Sequence, residues 1–329
     1  MKRWLFFLAL SISCLFFLAS CSWNHPQPLR VAEVTRSVFY APQYVALEQG
    51  FFEEEGLTVE LTTTWGGDKT MATLLSNGAD IALVGSETSI YVHNQGTKDP
   101  VINFAKLTQT DGTFLVAREP HSSFSFEELK GKTFLGQRKG GMPQMVGEYV
   151  LKKHHIHPQH DLELIQNIDF QNIANSFASG TGDYVQLFEP QASLFEQEGI
   201  GSIVASFGKE ATHIPYTVYM AKESFLTENE EDLIKYTRAI YKAERWVYTH
   251  SSEEVATVIT PYFDDISFEL LTKSVERYKS QQSYAENPIL TPSEWKTLQS
   301  IMIEAKELKQ PVPYETLVNT DIAEQAMHK

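Results

Sequence analysis

The stretch from residue 29 to residue 89 alternates short β-prone runs with helical segments, and this alternation constrains the fold more than any other feature. Leu29 to Val34 is an apolar β-prone run, and a helical segment follows it. Thr58 to Thr64 leads in the same way into a helix for which Asp68 is the predicted N-cap. Strands joined by crossover helices form parallel sheets, so the sequence predicts an α/β fold whose strand ends meet at one edge.

The loops that follow these strands carry residues suited to binding a small ligand. In open α/β sheets, ligands bind beyond the carboxyl ends of the strands, where helix N-termini point. An arginine there could bind an anion, aromatic side chains could stack on a flat ligand, and a carboxylate could bind an amine. The same residue types are also ordinary caps and packing residues, so both interpretations stay open. The candidates in these loops are Arg36, Tyr40, Trp65, Asp68, Ser86 and Glu87.

A second set of alternating strands and helices lies between two extended segments near Arg118 and Ile214, where we place the domain crossings. A loop containing Arg138 and Gly141 precedes a helix, and its free N–H groups predict an anion-binding nest. A carboxylate at a strand end and a tyrosine on the return crossing complete the candidates, namely Glu189 and Tyr216. The helical C-terminus, with a capping box predicted at Thr227, is expected to return to the first domain.

The N-terminus has the pattern of a targeting segment. Lys2 and Arg3 precede an apolar run, which is typical of a secretory signal. Small residues then lead to Cys21, as in a bacterial lipobox. We therefore predict a signal peptide over residues 1–20 and a tether over residues 21–28, anchored by acyl chains such as palmitate on Cys21.

Composition and motif content exclude several classes of function. The 329-residue chain has a formal net charge of −15, which opposes nucleic-acid binding. If Cys14 leaves with the signal and Cys21 carries lipid, no thiol remains for a disulfide or a metal site. Pro158 interrupts a histidine cluster at residues 154–160, so we predict no metal. No Gly-x-Ser-x-Gly elbow or other catalytic set is present, and we predict neither an enzyme nor a cofactor.

Six short motifs occur in order along the chain. They are APQYVA (41–46), GFF (50–52), GLTV (56–59), GADIA (78–82), GTGDY (180–184) and FEP (188–190). With them the chain resembles the solute-binding proteins of ABC importers, in the branch that includes sulfonate, taurine, nitrate and thiamine-pyrimidine binders. The resemblance extends over nearly the whole chain after residue 21.

This resemblance implies a two-lobed, periplasmic-binding-protein-like fold of type II with a ligand cleft between the lobes. Residues 29–118 and 215–329 would form lobe 1, and residues 119–214 would form lobe 2. The protein would be a monomer, lipid-anchored at the extracytoplasmic face of a bacterial cell membrane. It would deliver a small solute to an ABC permease that is powered by a cytoplasmic ATPase.

Two classes of solute remain open at this point. Arg36, Arg138 and the helix N-termini favour a sulfonate, taurine or nitrate-type anion. Trp65, Glu87 and Glu189 favour a planar, amine-bearing heterocycle such as an aminopyrimidine precursor of thiamine. A protein of another class, a sensor or adhesion lipoprotein that does not serve transport, could use the same fold.

The lipobox gives a direct prediction. The substitution Cys21→Ser removes the acceptor of the acyl chains, so the mature protein should appear in the medium instead of the membrane fraction. Fractionation and mass spectrometry of the mature N-terminus measure this. Membrane retention of the variant together with an uncleaved wild-type N-terminus would contradict the prediction.

Overall fold

The computed structural model describes residues 27–328, so the predicted signal peptide and the lipidation site Cys21 lie outside the described residues. Two five-stranded sheets flanked by helices confirm the predicted α/β fold. The strands are β1 (Leu29–Glu33), β2 (Val59–Thr63), β3 (Ile81–Gly85), β4 (Val101–Thr108), β5 (Thr113–Ala117), β6 (Thr133–Leu135), β7 (Glu163–Ile165), β8 (Tyr184–Phe188), β9 (Ser202–Ser206) and β10 (Thr217–Lys222).

Helices connect these strands and make up most of the C-terminal third. The α-helices are α1 (Ala41–Glu48), α2 (Phe51–Glu54), α3 (Gly67–Leu75), α4 (Glu87–Asn94), α5 (Met142–Lys153), α6 (Ile173–Ala178), α7 (Gln191–Gln197), α8 (Phe207–Glu210), α9 (Glu223–Glu228), α10 (Glu230–Thr249), α11 (Ser252–Ile259), α12 (Phe268–Ser280), α13 (Pro292–Glu304), α14 (Tyr314–Leu317) and α15 (Asp321–Met327). Short 3-10 helices cover Val38–Tyr40, Phe126–Leu129, Phe170–Asn172 and Thr260–Tyr262.

Each sheet is mostly parallel and contains one antiparallel strand that comes from a crossing. In the first sheet the order is β2-β1-β3-β10-β4, and β10 runs antiparallel to β3 and β4. In the second the order is β7-β6-β8-β5-β9, and β5 runs antiparallel to β8 and β9. We call the first sheet with its helices lobe 1 and the second lobe 2. The parallel strands come from βαβ units, as the alternating pattern predicts.

The first predicted crossing needs correction. We expected the chain to leave lobe 1 near Arg118, but β5 pairs along its whole length with β8 of the second sheet. The crossing therefore falls at residues 109–112, one strand earlier. Both β4 and β5 are buried, apolar strands, and such runs do not reveal which sheet they join.

Two predicted helix starts are also corrected. Gly66, not Asp68, is the N-cap of α3, and Asp68 lies in the first turn of that helix. The capping box predicted at Thr227 is absent, because the chain breaks at Asn229 between α9 and α10. A capping box does form at Thr291, where the Thr291 hydroxyl accepts from the backbone N–H of Glu294.

The C-terminal helices pack mainly on lobe 1. The amphipathic helix α10 lies against α1, α2 and α15. Helix α12 instead reaches lobe 2, where Arg277 Nη1 lies 2.8 Å from Glu189 Oε1 and Nη2 lies 2.8 Å from Glu196 Oε2. Within residues 27–328, no helix combines the length and the apolar character that crossing a membrane requires.

The two crossings lie side by side and share a buried aromatic cluster. Ile214 N donates to Gln109 O at 3.0 Å, so the outgoing and returning segments are hydrogen-bonded. The ring of Phe39 contacts the rings of Phe188, Tyr216 and Tyr278, with centroids 5.1–5.7 Å apart. Only a glycine fits at position 112 on the outgoing crossing, because a Cβ there would lie 2.8 Å from the Phe39 ring.

One buried carboxyl in lobe 1 lacks any hydrogen-bond partner. Glu244 of α10 is 0% exposed, and neither carboxylate oxygen has a partner. Burial raises its pKa well above the ordinary value, and the charge of Lys106 offsets this only in part. The folded protein therefore binds a proton at Glu244 more tightly than the unfolded chain does.

This raised pKa predicts a pH-dependent gain in stability for Glu244→Gln. Wild-type stability should fall as the pH rises above the carboxyl's ordinary pKa, at about 1.4 kcal/mol per unit of pH until the raised pKa is reached. The variant should be close to wild type near about pH 4.5 and more stable by at least ~1 kcal/mol near about pH 8. Chemical denaturation at both pH values measures the difference. A variant that is equally or less stable at the higher pH would contradict it.

Candidate functional site

A cavity of about 330 Å³ lies between the lobes, beyond the carboxyl ends of the parallel strands. Both lobes contribute to its wall. From lobe 1 and the return crossing come Val34, Thr35, Tyr40, Trp65, Gly66, Gly67, Asp68, Lys69, Val84, Gly85, Glu87, Thr88, Tyr91, Tyr216 and Thr217. From lobe 2 come Gln137, Arg138, Lys139, Gly140, Gly141, Met142, Pro143, Asp169, Phe170 and Phe188.

The structure brings together seven of the ten predicted ligand contacts in this wall. They are Tyr40, Trp65, Asp68, Glu87, Arg138, Gly141 and Tyr216. The wall has a strongly aromatic character, because three tyrosines, two phenylalanines and a tryptophan line it. Aromatic walls of this kind hold flat organic molecules through large apolar contact areas and ring stacking.

Trp65 lies at the cavity in an unusual backbone conformation. It is 44% exposed, one of four large hydrophobic residues this open in the described chain. Its φ of +60° is in the left-handed region, which a bulky residue rarely adopts without a constraint from its surroundings. The next residue, Gly66, has a φ of +146° that only glycine tolerates well. This tight turn presents the indole at the cavity instead of in the core.

Glu87 is the one deeply buried carboxyl in the cavity wall. It is 3% exposed and begins α4. Oε1 accepts from the Met142 N–H of lobe 2 at 3.1 Å, whereas Oε2 has no partner. Burial raises the pKa of Glu87 to about 8, against the opposing effect of hydrogen bonds from backbone N–H groups. A buried oxygen without a partner, in the wall of a cavity, is suited to accept from a ligand.

Close approach of the Glu87 carboxyl to the backbone requires the glycine at position 85. A Cβ at Gly85 would lie 2.2 Å from Glu87 Oε2. The carboxyl therefore folds over the end of β3, which places it at the carboxyl end of the sheet where we expected the ligand.

The cationic groups of the cavity lie at its exposed rim. Arg138 Nη1 lies 3.2 Å from Asp68 Oδ2 of lobe 1 and 3.5 Å from Asp169 Oδ1 of lobe 2. All three side chains are more than half exposed, so this cluster contributes little to stability. Its charge is already balanced by two carboxylates. Lys69 and Lys139 are also exposed.

The predicted anion nest is occupied by the protein's own side chains. Gly140 N donates to Gln144 Oε1 at 3.0 Å, and Met142 N donates to Glu87. Two of the donors that would receive an anion therefore already have acceptors. This corrects the expectation of free N–H groups near Gly141.

Three predicted contacts lie outside the cavity, which corrects their assignment. Arg36 Nε bonds Glu33 Oε1 at 3.2 Å, and its guanidinium stacks over Tyr262. Ser86 donates from its hydroxyl to the Pro215 carbonyl in the buried return crossing. Glu189 is paired with Arg277 and accepts from the Ser193 backbone at 2.8 Å. Each of these groups satisfies a structural partner.

Side-chain alternation explains why Glu189 was misplaced. Neighbouring residues at a strand end point to opposite sides, so Phe188 lines the cavity while Glu189 faces away. Tyr91 was missed although it follows Glu87 by one helical turn, a spacing that predicts a shared face. Asp169 is the N-cap of a short 3-10 helix that begins at Phe170, and neither residue gave a recognisable signal.

Other candidate regions carry no predicted site residue. A larger, more open groove of about 610 Å³ lies between β9 and α12, and none of the ten predicted contacts lines it. Among the described residues, no three His, Cys, Asp or Glu side chains are grouped to hold a metal. In the histidine cluster, His154 bonds Glu210 at 2.7 Å and stacks on Phe126.

The chain is similar to known binding proteins along nearly its whole length. The sequence model of the NMT1-like family matches residues 29–260. A protein of Bacillus subtilis (strain 168), named "Putative binding protein YtlA", is 62% identical over 328 residues, which is 98% of each chain.

Solved structures share the fold at low sequence identity. The ligand-binding component of an ABC-type import system from Staphylococcus aureus has a TM-score of 0.75 at 14% identity, over 91% of this chain and 99% of that one. The alkanesulfonate-binding protein SsuA from Xanthomonas axonopodis pv. citri has a TM-score of 0.71 at 11% identity, over 90% and 99%. The desulfurization enzyme DSZB also has this fold, with a TM-score of 0.63 at 12% identity over 91% and 98%. The fold alone therefore does not separate binding proteins from enzymes.

The position of Trp65 gives a prediction for binding. Removing a buried aromatic anchor commonly costs at least ~2 kcal/mol, or roughly thirtyfold in affinity. Trp65→Ala should weaken calorimetric binding of the solute that co-purifies with the protein by at least this factor. The melting temperature of the ligand-free protein should change little, because the side chain is largely outside the core. Normal affinity combined with a much lower melting temperature would show that Trp65 is a packing residue.

Proposed function

The chain belongs to the NMT1-like family, and we propose that it is the solute-binding component of an ABC importer. In this role it captures a small polar organic solute between its lobes and delivers it to the membrane permease. The carrying observation is the interlobe cavity, about 330 Å³ in volume, whose wall comes from both lobes. A site divided between two lobes binds by closing around its ligand, because each lobe alone offers half of the contacts.

The names of similar proteins support a binding role. The Bacillus subtilis relative is named as a binding protein, and the Staphylococcus aureus structure as a component of an ABC-type import system. The cavity also lacks a recognisable nucleophile with its base, since its buried polar wall consists of tyrosines, threonines, one glutamine and one glutamate. These features favour capture of a solute over catalysis.

The cellular setting of this proposal rests on the N-terminus. The lipobox at Cys21 favours a lipid-anchored protein at the extracytoplasmic face of a bacterial membrane. Partners would be the permease and, through it, the ATPase. Solute uptake that depends on the permease would exclude the alternative of a sensor or adhesion lipoprotein.

The cavity favours the amine-bearing, planar class of solute over the anionic class. Of the arginines proposed for an anion, Arg36 lies outside the cavity and Arg138 is held by two carboxylates. The deep wall instead carries Glu87, with one oxygen that has no partner. An anion against this carboxyl would be repelled if it is ionised, whereas an N–H donor would satisfy it. Six aromatic side chains provide flat surfaces for a heterocycle.

This assignment predicts which solutes stabilise the protein. The hydroxymethyl aminopyrimidine that forms the pyrimidine half of thiamine should raise the melting temperature, whereas taurine and nitrate should not. At a ligand concentration of about 100 times Kd, binding adds ~2.7 kcal/mol to the free energy of unfolding. Calorimetry with each solute measures this, and mass spectrometry identifies any solute that co-purifies.

The outcomes separate the two classes. Stabilisation by taurine or nitrate alone would overturn the amine assignment and restore the sulfonate-type binder. Absence of any co-purified solute, of stabilisation by any of the three, and of permease-dependent uptake would overturn the importer proposal itself.

A further inference from the structure

Glu87 occupies a position that links the two lobes. It begins α4 of lobe 1, yet its Oε1 accepts from the Met142 N–H at the start of α5 in lobe 2, at 3.1 Å. Among the contacts between the lobes at the cavity, this one is buried, whereas the Arg138–Asp68 pair is exposed. Water and salt screen an exposed ion pair, so the buried Glu87 contact is the stronger of these two.

Helix α5 depends on Glu87 because it has no cap of its own. Its N-cap residue is Gly141, and no side chain of α5 or its N-cap satisfies the first turn. The carboxyl of Glu87, which belongs to the opposite lobe, accepts the hydrogen bond from the first turn of α5 that an N-cap side chain would otherwise accept. The positive end of a helix dipole stabilises a carboxylate, so the contact strengthens when Glu87 is ionised.

The second oxygen of the same carboxyl has no partner. Oε2 is buried in the cavity wall beside the end of β3, and no group of the described residues bonds it. Tyr40, Tyr91 and Tyr216 line the same cavity, and its rim carries Lys69, Lys139 and the Arg138 cluster. A second buried carboxyl, Asp111 on the outgoing crossing, interacts with the Tyr216 hydroxyl. If the lobes close without a solute, they bury a carboxyl of which only one oxygen has a hydrogen-bond partner. Such burial opposes ionisation of Glu87.

From this geometry, and resting on the proposed function, we propose that Glu87 couples recognition of a positively charged, N–H-donating solute to closure of the lobes. One carboxylate oxygen accepts from the solute while the other caps α5 across the cleft. A cationic solute keeps Glu87 ionised in the closed form and so strengthens the bond to Met142. Without it, the half-satisfied carboxyl disfavours closure, so the empty protein stays open.

The proposal has a pH signature in the empty protein. Burial between the lobes raises the pKa of Glu87 to about 8, and our proposal is that opening of the lobes exposes the carboxyl and removes this rise, so that the closed form binds a proton more tightly. The closed fraction should then be greatest at low pH and fall as the pH rises toward 8. Burial also raises the pKa of Tyr40, Tyr91 and Tyr216, so these hydroxyls stay neutral throughout this range.

The variant Glu87→Gln tests this role while keeping the size of the side chain. Glutamine can still accept from Met142, but it cannot ionise and it presents an amide to the solute. Small-angle scattering of the ligand-free mature protein, between about pH 7 and about pH 8.5, should show the wild type opening as the pH rises. This range lies above the value of about 6 to which burial raises the pKa of Asp111 on the outgoing crossing. The radius of gyration of the variant should be independent of pH. An equal pH dependence in both proteins, or none in wild type, overturns the proposal.

Binding of two flat probes of opposite charge gives the second readout. Benzamidinium and benzenesulfonate are similar in size, and calorimetry should show that wild type prefers the cation. Glu87→Gln should lose at least about thirtyfold in affinity for benzamidinium, as expected for a buried hydrogen-bonded charge pair. Equal binding of the two probes by wild type, or an unchanged affinity in the variant, contradicts the coupling.

Glu244→Gln is the matched control. Glu244 is also a buried carboxyl of lobe 1 without hydrogen-bond partners, but it lies outside the cavity. The control should change stability and leave both the scattering and the probe affinities at wild-type values. If Glu87→Gln behaves like the control while the wild type still binds and transports a solute, the coupling fails and the importer role stands.

Discussion

The packing of Phe39 is the constraint on which the arrangement of the two lobes depends. Its fully buried ring contacts Phe188 at the end of a lobe 2 strand, Tyr216 on the return crossing and Tyr278 of the C-terminal helices. Four distant parts of the chain thus meet at one aromatic cluster beside the crossings. Because aromatic rings fit in few orientations, this cluster holds the two sheets together beside the crossings, which is where the closure that we propose would have its pivot.

The chemistry of the cavity wall changes from the end beside the crossings to the outer rim. Near the crossings the wall is buried and carries Tyr40, Glu87 and Tyr216, whereas the rim farther out carries exposed charged side chains. A charged group has its greatest influence where water is excluded, because screening and the high dielectric weaken it at the rim. This difference is why our proposal gives one buried carboxyl more weight than several basic side chains at the mouth.

Elements whose structure is dictated by local chemistry could be predicted from the sequence. The alternation of strands and helices, the loops at the strand ends and the capping box at Thr291 are all visible in the residues themselves. Prediction failed where the outcome depends on distant partners: β5 could pair with either sheet, and Glu189 faces an arginine 88 positions away. Trp65 and Glu87 line the cavity, and their loops follow strands that the sequence marks clearly. Arg36 does not line the cavity because its side chain is paired with Glu33 on the preceding strand. The spacing of the two residues alone does not reveal this pairing.

The second sheet is built from one uninterrupted stretch, β5 to β9, whose ends are tied together where Ile214 bonds Gln109. Such a stretch could be exchanged between related proteins as one piece, because only two chain junctions, which lie next to each other, would have to be joined. An exchange would bring a new set of side chains to half of the cavity, while the half that contains Glu87 and Trp65 stays as it is. The exchanged stretch would have to keep the carboxylates that Arg277 of α12 contacts, Glu189 and Glu196. This architecture lets solute preference diversify by recombination without rebuilding the framework that holds the pivot.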